Sequence, residues 1–464
     1  MQDVIVMVPG IMGTTLRQNG RAAWAYSGRT AATTLLTQGR WMNEALALSG
    51  EDPLVDDLGD GVSVGGLMPD LHLLPGLWKI DGYRAVRRRL VDDFDLKIGF
   101  NYIEFGYDWR RDNRVAGRRL ATKCRDALTS WRQQSPDAKI ILLAHSMGGL
   151  VARYFLEVLE GWSTGDVRAL ITFGTPFRGS ANALDTLANG VRRGPVDLTQ
   201  MSRSFTSIYQ LLPLYPMYDP GDGRYVRVGE ATGIPNVDAE RAKAALAFHH
   251  EIRDAVVRNR ADPRWERLGY RLCPIVGRMQ STIQTGAARV DGVTMSTIFR
   301  GKDVRGDGTV PRVSAIPLEF DETEARADLY VATKHGSLQN ADAVLTHLAG
   351  RITDFFTDFG DWRSPEPVSP DLALDLPDLV RSDEEIVLQA QGARSMTAAL
   401  LTGGGDKPLQ TRTSLADPAE WVTMTFDPVP AGRYRVQLSD GGQRAPVCDS
   451  IAVADATAVD RLTV

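Results

Sequence analysis

The residues best suited to chemistry in this sequence begin with Ser146, which lies in Ala-His-Ser-Met-Gly at 144–148. An apolar run at 140–143 precedes this pentapeptide and apolar residues recur at helical spacing after it, so the sequence predicts a strand, a sharp turn and a helix. A serine on such a turn projects its hydroxyl from the sheet at a helix N-terminus, which is the geometry of a nucleophile elbow. Ala144 stands where glycine is usual, a difference of one methyl group.

A serine hydroxyl becomes a good nucleophile only when an imidazole can take its proton and a carboxylate holds that imidazole in the right tautomer. Asp307, flanked by glycines, and His335, which follows a predicted strand, come after Ser146 in the chain order that is typical of α/β-hydrolases. We therefore predict these three as the catalytic residues. Asp303 is the competing carboxylate but lacks the glycine-flanked turn, and His347 is the competing histidine but lies within a predicted helix.

The first predicted strand, at 4–8, runs into Pro-Gly-Ile-Met-Gly at 9–13. Glycines at a strand end let the backbone turn sharply and point amides into a cleft. Two interpretations stay open, namely an ordinary turn or half of an oxyanion hole with the Ile11 amide as donor. In the second case the amide of Met147, at the start of the elbow helix, would be the other donor.

The order of elements along the chain predicts the fold. Strands alternate with helical segments, and the candidate catalytic residues follow strands, which is typical of a doubly wound, mostly parallel α/β sheet. We predict an α/β-hydrolase catalytic domain over 1–362. Two long segments, at about 20–80 and 180–268, interrupt the alternation, and we predict them as cap insertions.

The pattern changes near the C-terminus. Four prolines predict a linker at 363–380, and short period-two segments separated by glycine, aspartate and proline follow at 381–464. This pattern predicts a small all-β sandwich, and the segment 430–436 resembles a hairpin return of immunoglobulin-like domains. The region holds no catalytic constellation, so we expect a structural appendage or a docking module for a protein partner.

Composition bears on several classes of function. The chain has 464 residues, 43% hydrophobic and 24% charged, with a net charge of −5, which is typical of a globular protein and does not favour nucleic acid. No phosphate-binding loop, dinucleotide fingerprint or metal-ligand spacing occurs, so neither a cofactor nor a metal is implied. Three cysteines, far apart and odd in number, predict free thiols in a reducing compartment. Since we find no signal peptide and no apolar run of membrane-spanning length, we expect a cytoplasmic protein.

Six motifs in order resemble the lecithin:cholesterol acyltransferase family of lipid acyl hydrolases and transferases, in a bacterial-type version. They are Pro-Gly-Ile-Met-Gly at 9–13, Tyr-Asp-Trp-Arg at 107–110, the elbow at 144–149, the segment 207–213, Gly-Asp-Gly-Thr-Val at 306–310 and His-Gly at 335–336. The resemblance covers roughly 4–350. It implies Ser146 as nucleophile with Asp307 and His335 as its partners, the amides of Ile11 and Met147 as the oxyanion hole, and a lipid ester substrate met in transient contact with a membrane surface.

Apolar residues in or beside these motifs are candidate residues of the substrate pocket. They are Met12, Trp109, Phe177, Leu211 and Leu212.

The sequence also departs from the family. Thr-Pro-Phe-Arg-Gly-Ser at 175–180 is similar to bacterial esterases and lipases instead, and the cap disulfide of secreted members is absent, which favours hydrolysis over transfer to a sterol. We predict a serine hydrolase that cleaves or transfers acyl groups of lipid esters through an acyl-enzyme. Two alternatives stay open: a soluble carboxylesterase or thioesterase, and a binding or regulatory protein, or membrane-attacking effector, recruited by its β-sandwich. The sequence does not predict an oligomeric state.

Overall fold

The computed structural model describes residues 1–25, 33–34, 36–69, 82–320, 328–356, 372–402, 407–441 and 446–456. The chain forms two compact units. The first comprises Met1–Leu329 and Lys334–Gln339, and the second comprises Tyr330–Thr333 and Asn340–Val464. All the candidate catalytic residues belong to the first unit. Parts of the first predicted insertion, and residues 363–371 of the predicted linker, lie outside the described residues.

A parallel β-sheet organises the first unit. Five of its strands lie side by side in the order Arg271–Gly277, Val167–Phe173, Ile140–His145, Val4–Val8 and Tyr102–Glu104. A sixth strand, Leu329–Val331, begins at the edge beside the first of these. Every residue of Val4–Val8 and of Ile140–His145 is buried, as expected of central strands in a parallel sheet that is covered on both faces. The predicted α/β-hydrolase fold is confirmed.

Helices that cover this sheet alternate with its strands. The longer ones are Arg84–Phe94, Asn113–Trp131, Ala181–Asn189 and Ala239–Arg260. The helix Asn113–Trp131 begins at Asp112, whose carboxylate accepts a hydrogen bond from the Arg114 amide at 2.8 Å and so satisfies one of the amides left open at a helix start. Leu120, Cys124 and Leu128 lie on its buried face and join the core around the sheet.

Both predicted insertions contain regular structure. In the first, the strands Arg21–Trp24 and Val62–Leu67 pair antiparallel with either side of Thr14–Gln18, a strand that precedes the insertion, and Arg40–Leu46 forms a helix. The second includes the short helices Thr199–Ser204, Thr206–Tyr209 and Trp265–Leu268, the 3₁₀ turn Val228–Glu230, and the short strands Arg192–Arg193, Val196–Asp197 and Tyr218–Asp219. The strand Thr285–Arg289 pairs with both Tyr218–Asp219 and Gly292–Ser296.

The buried side chain of Asn43 joins the two insertions. Its amide nitrogen donates to the Asp197 carbonyl at 2.7 Å, and its oxygen accepts from the Met201 amide at 3.0 Å. Both polar atoms of a buried amide are therefore satisfied across the insertions, as burial of a polar group requires.

The second unit is a two-layer β structure with one helix. One sheet has the strands Ala373–Asp375, Ile386–Gln391 and Val422–Phe426, and the other has Leu379–Arg381, Val447–Ala454, Gly432–Ser439, Ser395–Thr402 and Pro408–Leu415. The helix Asp342–Asp354 belongs to this unit and contacts Val447–Ala454. The described end of the predicted linker, from 372 onward, thus supplies strands to this fold.

Side chains from both sheets form one apolar core, so the second unit is a sandwich. Leu388 and Phe426 of the smaller sheet pack in the same cluster as Leu400 and Val436 of the larger one. The hydroxyl of Tyr434 donates to the carbonyl of Pro430, four residues upstream, at 2.7 Å, a contact typical of the tyrosine corner in immunoglobulin-like domains.

Candidate active site

Ser146 lies between the elbow strand, Ile140–His145, and the elbow helix, Gly148–Arg153. Its φ of 52° is in the left-handed region, which costs an L-residue about 1–2 kcal/mol and persists only where the surroundings enforce it. Its amide donates to the Phe173 carbonyl at 2.9 Å, which anchors the turn to the neighbouring strand. A Cβ on Gly148 would lie 2.5 Å from the Pro9 carbonyl oxygen, so the elbow helix starts against the first strand's end at a distance that only glycine permits.

His335 lies between the serine and the aspartate that the sequence predicts. Its Nε2 is 2.8 Å from Ser146 Oγ, and its Nδ1 is 2.7 Å from Asp307 Oδ2. Because the Asp307 carboxylate accepts from Nδ1–H, Nε2 is left as the acceptor for the serine hydroxyl. The imidazole is therefore oriented as a general base for Ser146.

The acid loop, Gly306–Val310, holds Asp307 in place by its other carboxylate oxygen. Oδ1 accepts from the amides of Thr309 at 2.9 Å and Val310 at 2.7 Å, and the Asp307 carbonyl accepts from the His335 amide at 2.8 Å. The side chain is 1% exposed. One oxygen thus fixes the carboxylate on its own loop while the other serves the imidazole.

The two competing candidates lie elsewhere. The carboxylate of Asp303 accepts from the side chain of Gln284 and from the amide of Arg305, both at 2.8 Å. His347 lies on the helix Asp342–Asp354 of the second unit. Asp307 and His335 are the candidates that the described hydrogen bonds join to Ser146.

The amides of Ile11 and Met147 donate no hydrogen bond to any residue that the structure describes. Ile11 belongs to the oxyanion loop, Pro9–Gly13, which turns through Met12 with a φ of 63°. Met147 directly precedes the elbow helix, where the helix dipole favours negative charge. Both amides are thus available to a developing oxyanion, and their assignment stays a prediction.

The pocket candidates differ in exposure. Leu211 is partly exposed, whereas Met12, Phe177 and Leu212 are buried. Trp109 has no exposed surface.

Trp109 is a core residue in this structure. Its indole nitrogen donates to the Thr14 carbonyl at 2.8 Å, and its ring contacts Trp24 and Phe205 at centroid distances of 5.4 and 5.5 Å. It supports the strand that follows the oxyanion loop and presents no surface to a substrate.

Two residues that no sequence pattern indicates as functional, Tyr83 and His145, are hydrogen bonded to the backbone of the active site. Tyr83 is hydrogen bonded to the Gly10 amide and to His145 Nδ1, and His145 Nε2 is hydrogen bonded to the His335 carbonyl. No local motif marks Tyr83, and His145 is noticeable only as the neighbour of the nucleophile. Burial, and then the nearby His335, lower the pKa of His145 to about 3.

Within the part of the chain that the structure describes, no group of three or more histidine, cysteine, aspartate or glutamate side chains is placed to hold a metal ion. No helix among the described residues is both long and apolar enough to span a bilayer.

Part of the chain matches a known family. Residues 94–236, which include the nucleophile elbow, match the family model for lecithin:cholesterol acyltransferase. Over these residues the chain is similar to that family. The match contains Ser146 but ends before Asp307 and His335, so it covers one of the three candidate catalytic residues.

Curated relatives agree with the family match over short segments. The chain is 31% identical over 121 residues to the lysosomal phospholipase A and acyltransferase of Homo sapiens, covering 25% of this chain and 29% of the relative. It is 31% identical over 97 residues to phospholipase A(1) LCAT3 of Arabidopsis thaliana, covering 21% of each. The chain thus spans less than a third of the length of these relatives. Among solved structures, the mature lipase BlEst2 of Bacillus licheniformis aligns over 76% of this chain and 92% of its own, with 15% identity and a TM-score of 0.32.

Proposed function

We propose that this protein is a serine ester hydrolase that cleaves acyl groups from lipid esters, and can transfer them, through an acyl-enzyme on Ser146. One observation carries the proposal: His335 lies within hydrogen-bond distance of both Ser146 Oγ and Asp307 Oδ2, at 2.8 and 2.7 Å. A serine, an imidazole and a carboxylate in this order perform nucleophilic acyl transfer on unrelated folds.

In the proposed reaction Ser146 Oγ attacks the ester carbonyl carbon while its proton passes to His335 Nε2. The carbonyl electron pair moves onto oxygen, and the amides of Ile11 and Met147 donate to this oxyanion. Asp307 stabilises the imidazolium. His335 then gives the proton to the leaving alcohol as the carbon–oxygen bond breaks, which leaves the acyl group on Ser146.

The second half of the reaction decides between hydrolysis and transfer. Water or an alcohol attacks the carbonyl carbon of the acyl-enzyme while His335 takes the proton of the attacking hydroxyl. His335 then gives this proton to Ser146 Oγ as the bond between Oγ and the acyl carbon breaks. Water yields a free fatty acid and an alcohol yields a new ester. Departures from the family at 175–180 favour water in this proposal.

A lipid ester is the proposed substrate class on two grounds. The human relative is named a phospholipase A and acyltransferase, and two leucines of the first insertion, Leu36 and Leu54, are 85% and 83% exposed. Exposed apolar side chains suit transient contact with a lipid surface.

We also propose a reducing compartment such as the cytoplasm. None of the three cysteines, all of which the structure describes, forms a disulfide bond, and Cys124 and Cys273 are buried, which suits a compartment that keeps thiols reduced. The proposed role of the second unit is to bind a protein partner.

The first experiment tests the chemistry with purified protein and a short-chain p-nitrophenyl ester. Ser146→Ala should lower kcat by about a millionfold, since removal of a triad nucleophile has an effect of that order, and should abolish labelling by a fluorophosphonate probe. Ser130→Ala, at an exposed position on the helix Asn113–Trp131, is the matched control and should retain full activity. Full activity in Ser146→Ala would contradict the mechanism.

The second experiment tests the substrate class. We expect phospholipid in mixed micelles to be cleaved faster than a monomeric ester of the same acyl chain, with free fatty acid detected by mass spectrometry. Added alcohol that diverts product into a new ester would measure transfer. Activity confined to monomeric esters would identify a carboxylesterase or thioesterase instead.

A further inference from the structure

We propose that Tyr83 and His145 are positioning residues that connect the oxyanion loop to the catalytic histidine through one hydrogen-bonded bridge. The inference rests on the proposed function, in which His335 is the general base. The Gly10 amide donates to the Tyr83 hydroxyl at 2.9 Å, this hydroxyl is 3.0 Å from His145 Nδ1, and His145 Nε2 is 3.0 Å from the His335 carbonyl oxygen. We call these three contacts the Tyr83–His145 bridge.

The His335 carbonyl, at one end of the bridge, fixes the direction of each hydrogen bond in it. The His335 carbonyl can only accept, so His145 Nε2 carries a hydrogen. In a neutral imidazole Nδ1 is then the acceptor, so the Tyr83 O–H donates to it and the Tyr83 oxygen accepts from the Gly10 amide. Every donor meets an acceptor, and no polar atom in the bridge is left over.

The bridge requires His145 to be neutral, and its surroundings keep it so. His145 is 4% exposed, and its ring lies 5.1 Å from that of His335. Burial, and then the neighbouring His335, together lower the pKa of His145 to about 3. Near pH 7 the imidazole therefore has one donor and one acceptor, as the bridge needs.

Three parts of the active site meet at this bridge. Gly10 directly precedes Ile11 in the oxyanion loop, His145 directly precedes Ser146, and the third contact reaches the backbone of His335. The His335 backbone is thus held on both sides, since its amide donates to the Asp307 carbonyl and its carbonyl accepts from His145. Its ring stays free to exchange a proton while its backbone is fixed.

The bridge lies in a closely packed setting. Tyr83 is 2% exposed and directly precedes the helix Arg84–Phe94, and a Cβ on Gly13 would lie 2.8 Å from its hydroxyl oxygen. Small displacements of catalytic groups have large effects on rate. Loss of the bridge should therefore lower the rate of the chemical step more than it lowers substrate affinity.

Tyr83→Phe removes the hydroxyl from the bridge, and Tyr434→Phe is the matched control. Tyr434 is also buried and its hydroxyl also donates to a backbone carbonyl, that of Pro430 at 2.7 Å, but it belongs to the second unit. We expect kcat on a short-chain ester to fall roughly 10- to 100-fold in Tyr83→Phe with little change in KM, and kcat to stay near the wild-type value in Tyr434→Phe. Equal losses in both variants, or none in Tyr83→Phe, would overturn the proposal.

Variants at His145 give a second readout. Glutamine offers one donor and one acceptor, so His145→Gln should retain more activity than His145→Leu, which offers neither. After His145→Leu, the further change Tyr83→Phe should have little additional effect on kcat, because the bridge is already broken. Additive losses in the double variant would mean that the two residues act separately.

A measurement on the unaltered protein covers the case in which these variants do not fold. With ¹⁵N-labelled histidine, the six histidines can be examined by two-bond ¹⁵N–¹H correlation at pH 7. The bridge requires His145 to be neutral with its hydrogen on Nε2, and a charged His145 or a hydrogen on Nδ1 would refute it.

Failure of the bridge can be distinguished from failure of the proposed function. If the wild type neither hydrolyses esters nor reacts with a fluorophosphonate, the proposed function fails. If the wild type does both and Tyr83→Phe has the same kcat, only the bridge fails.

Discussion

A methyl group on Gly174 would lie 2.8 Å from Asp307 Oδ2, the carboxylate oxygen that binds His335, and 3.0 Å from His335 Nδ1. Gly174 follows the strand Val167–Phe173, and its φ of +57° is one that L-residues rarely adopt. The carboxylate–imidazole pair therefore forms against a stretch of backbone that has no side chain.

The first prediction concerns Gly174→Ala. We expect kcat on a short-chain ester to fall roughly 100-fold, because the added methyl group displaces the carboxylate or the imidazole by several tenths of an ångström. Steady-state kinetics on the purified variant would measure this loss.

Gly301→Ala is the matched control for this prediction. Gly301 has a φ of +76°, but a Cβ there would meet nothing within 4 Å. It should carry a similar backbone cost of about 1–2 kcal/mol in the free energy of unfolding without losing activity. Equal activity in both variants would show that the contact with Asp307 and His335 does not matter.

The second prediction concerns Arg153, a buried residue at the end of the elbow helix. Its guanidinium pairs with Glu319 and, at 3.2 Å, with Glu157, and it donates to the Tyr270 hydroxyl at 2.8 Å. Arg153→Met would leave the buried Glu157 without its countercharge, so we expect the free energy of unfolding to fall by about 3–5 kcal/mol. Urea denaturation followed by circular dichroism would measure the change.

A surface pair provides the comparison for Arg153. Arg253 lies 2.8 Å from Asp254, and both side chains are about half exposed. Arg253→Met should lower the free energy of unfolding by less than about 1 kcal/mol, since exposed ion pairs contribute little. A similar effect of both substitutions would mean that Glu157 is not dependent on Arg153.

The sequence predicted a site residue where the residues that hold it in place are close to it in the chain. Ser146 and Asp307 lie in turns whose glycines and neighbours are contiguous in the chain, so the motifs indicated their positions. Tyr83 had no such signal, because its partners Gly10 and His145 are 73 and 62 residues away. Nothing near Tyr83 in the sequence differs from an ordinary helix start.

Trp109 shows the converse case. It lies within a motif and was predicted to line the substrate pocket, but the structure places it in the core. An aromatic residue after a strand end fits a substrate pocket as well as it fits a core. Its neighbours Trp24 and Phe205 come from the two insertions, and contacts between residues so far apart leave no pattern in either segment. The helix Asp342–Asp354 belongs to the second unit for a similar reason, since it contacts the distant strand Val447–Ala454, and the sequence pattern does not show this contact.

The third prediction follows from the burial of Trp109. Trp109→Phe removes the hydrogen bond to the Thr14 carbonyl and part of a packed ring, so we expect a loss of roughly 2 kcal/mol in the free energy of unfolding with little change in KM. Leu211→Ala is the comparison, because Leu211 is partly exposed, and it should raise KM for long-chain esters. A raised KM in Trp109→Phe would return Trp109 to the substrate pocket.

The last prediction concerns stability in acid and depends on His249, which lies far along the chain from the catalytic residues. His249 is 4% exposed on the helix Ala239–Arg260, and its Nε2 donates to the Gln210 carbonyl at 2.7 Å. Burial lowers the pKa of His249 to about 4, below its ordinary value of 6.5. Between these two values the unfolded protein binds a proton that the folded protein does not, so the free energy of unfolding falls as the pH drops from about 6.5 towards 4.

We therefore expect the free energy of unfolding of the wild type to decline between pH 8 and pH 5, with roughly 2 kcal/mol of the decline due to His249. His249→Gln removes this titration, so its own decline should be smaller by about that amount, although the buried His145 still contributes in the same direction. At pH 8 the histidine is neutral in both states, so the difference in free energy of unfolding between wild type and His249→Gln reflects the altered contact with Gln210. This difference is the internal control. Urea denaturation at both pH values would measure the difference, and identical declines in the two proteins would mean that His249 binds its proton in the folded state.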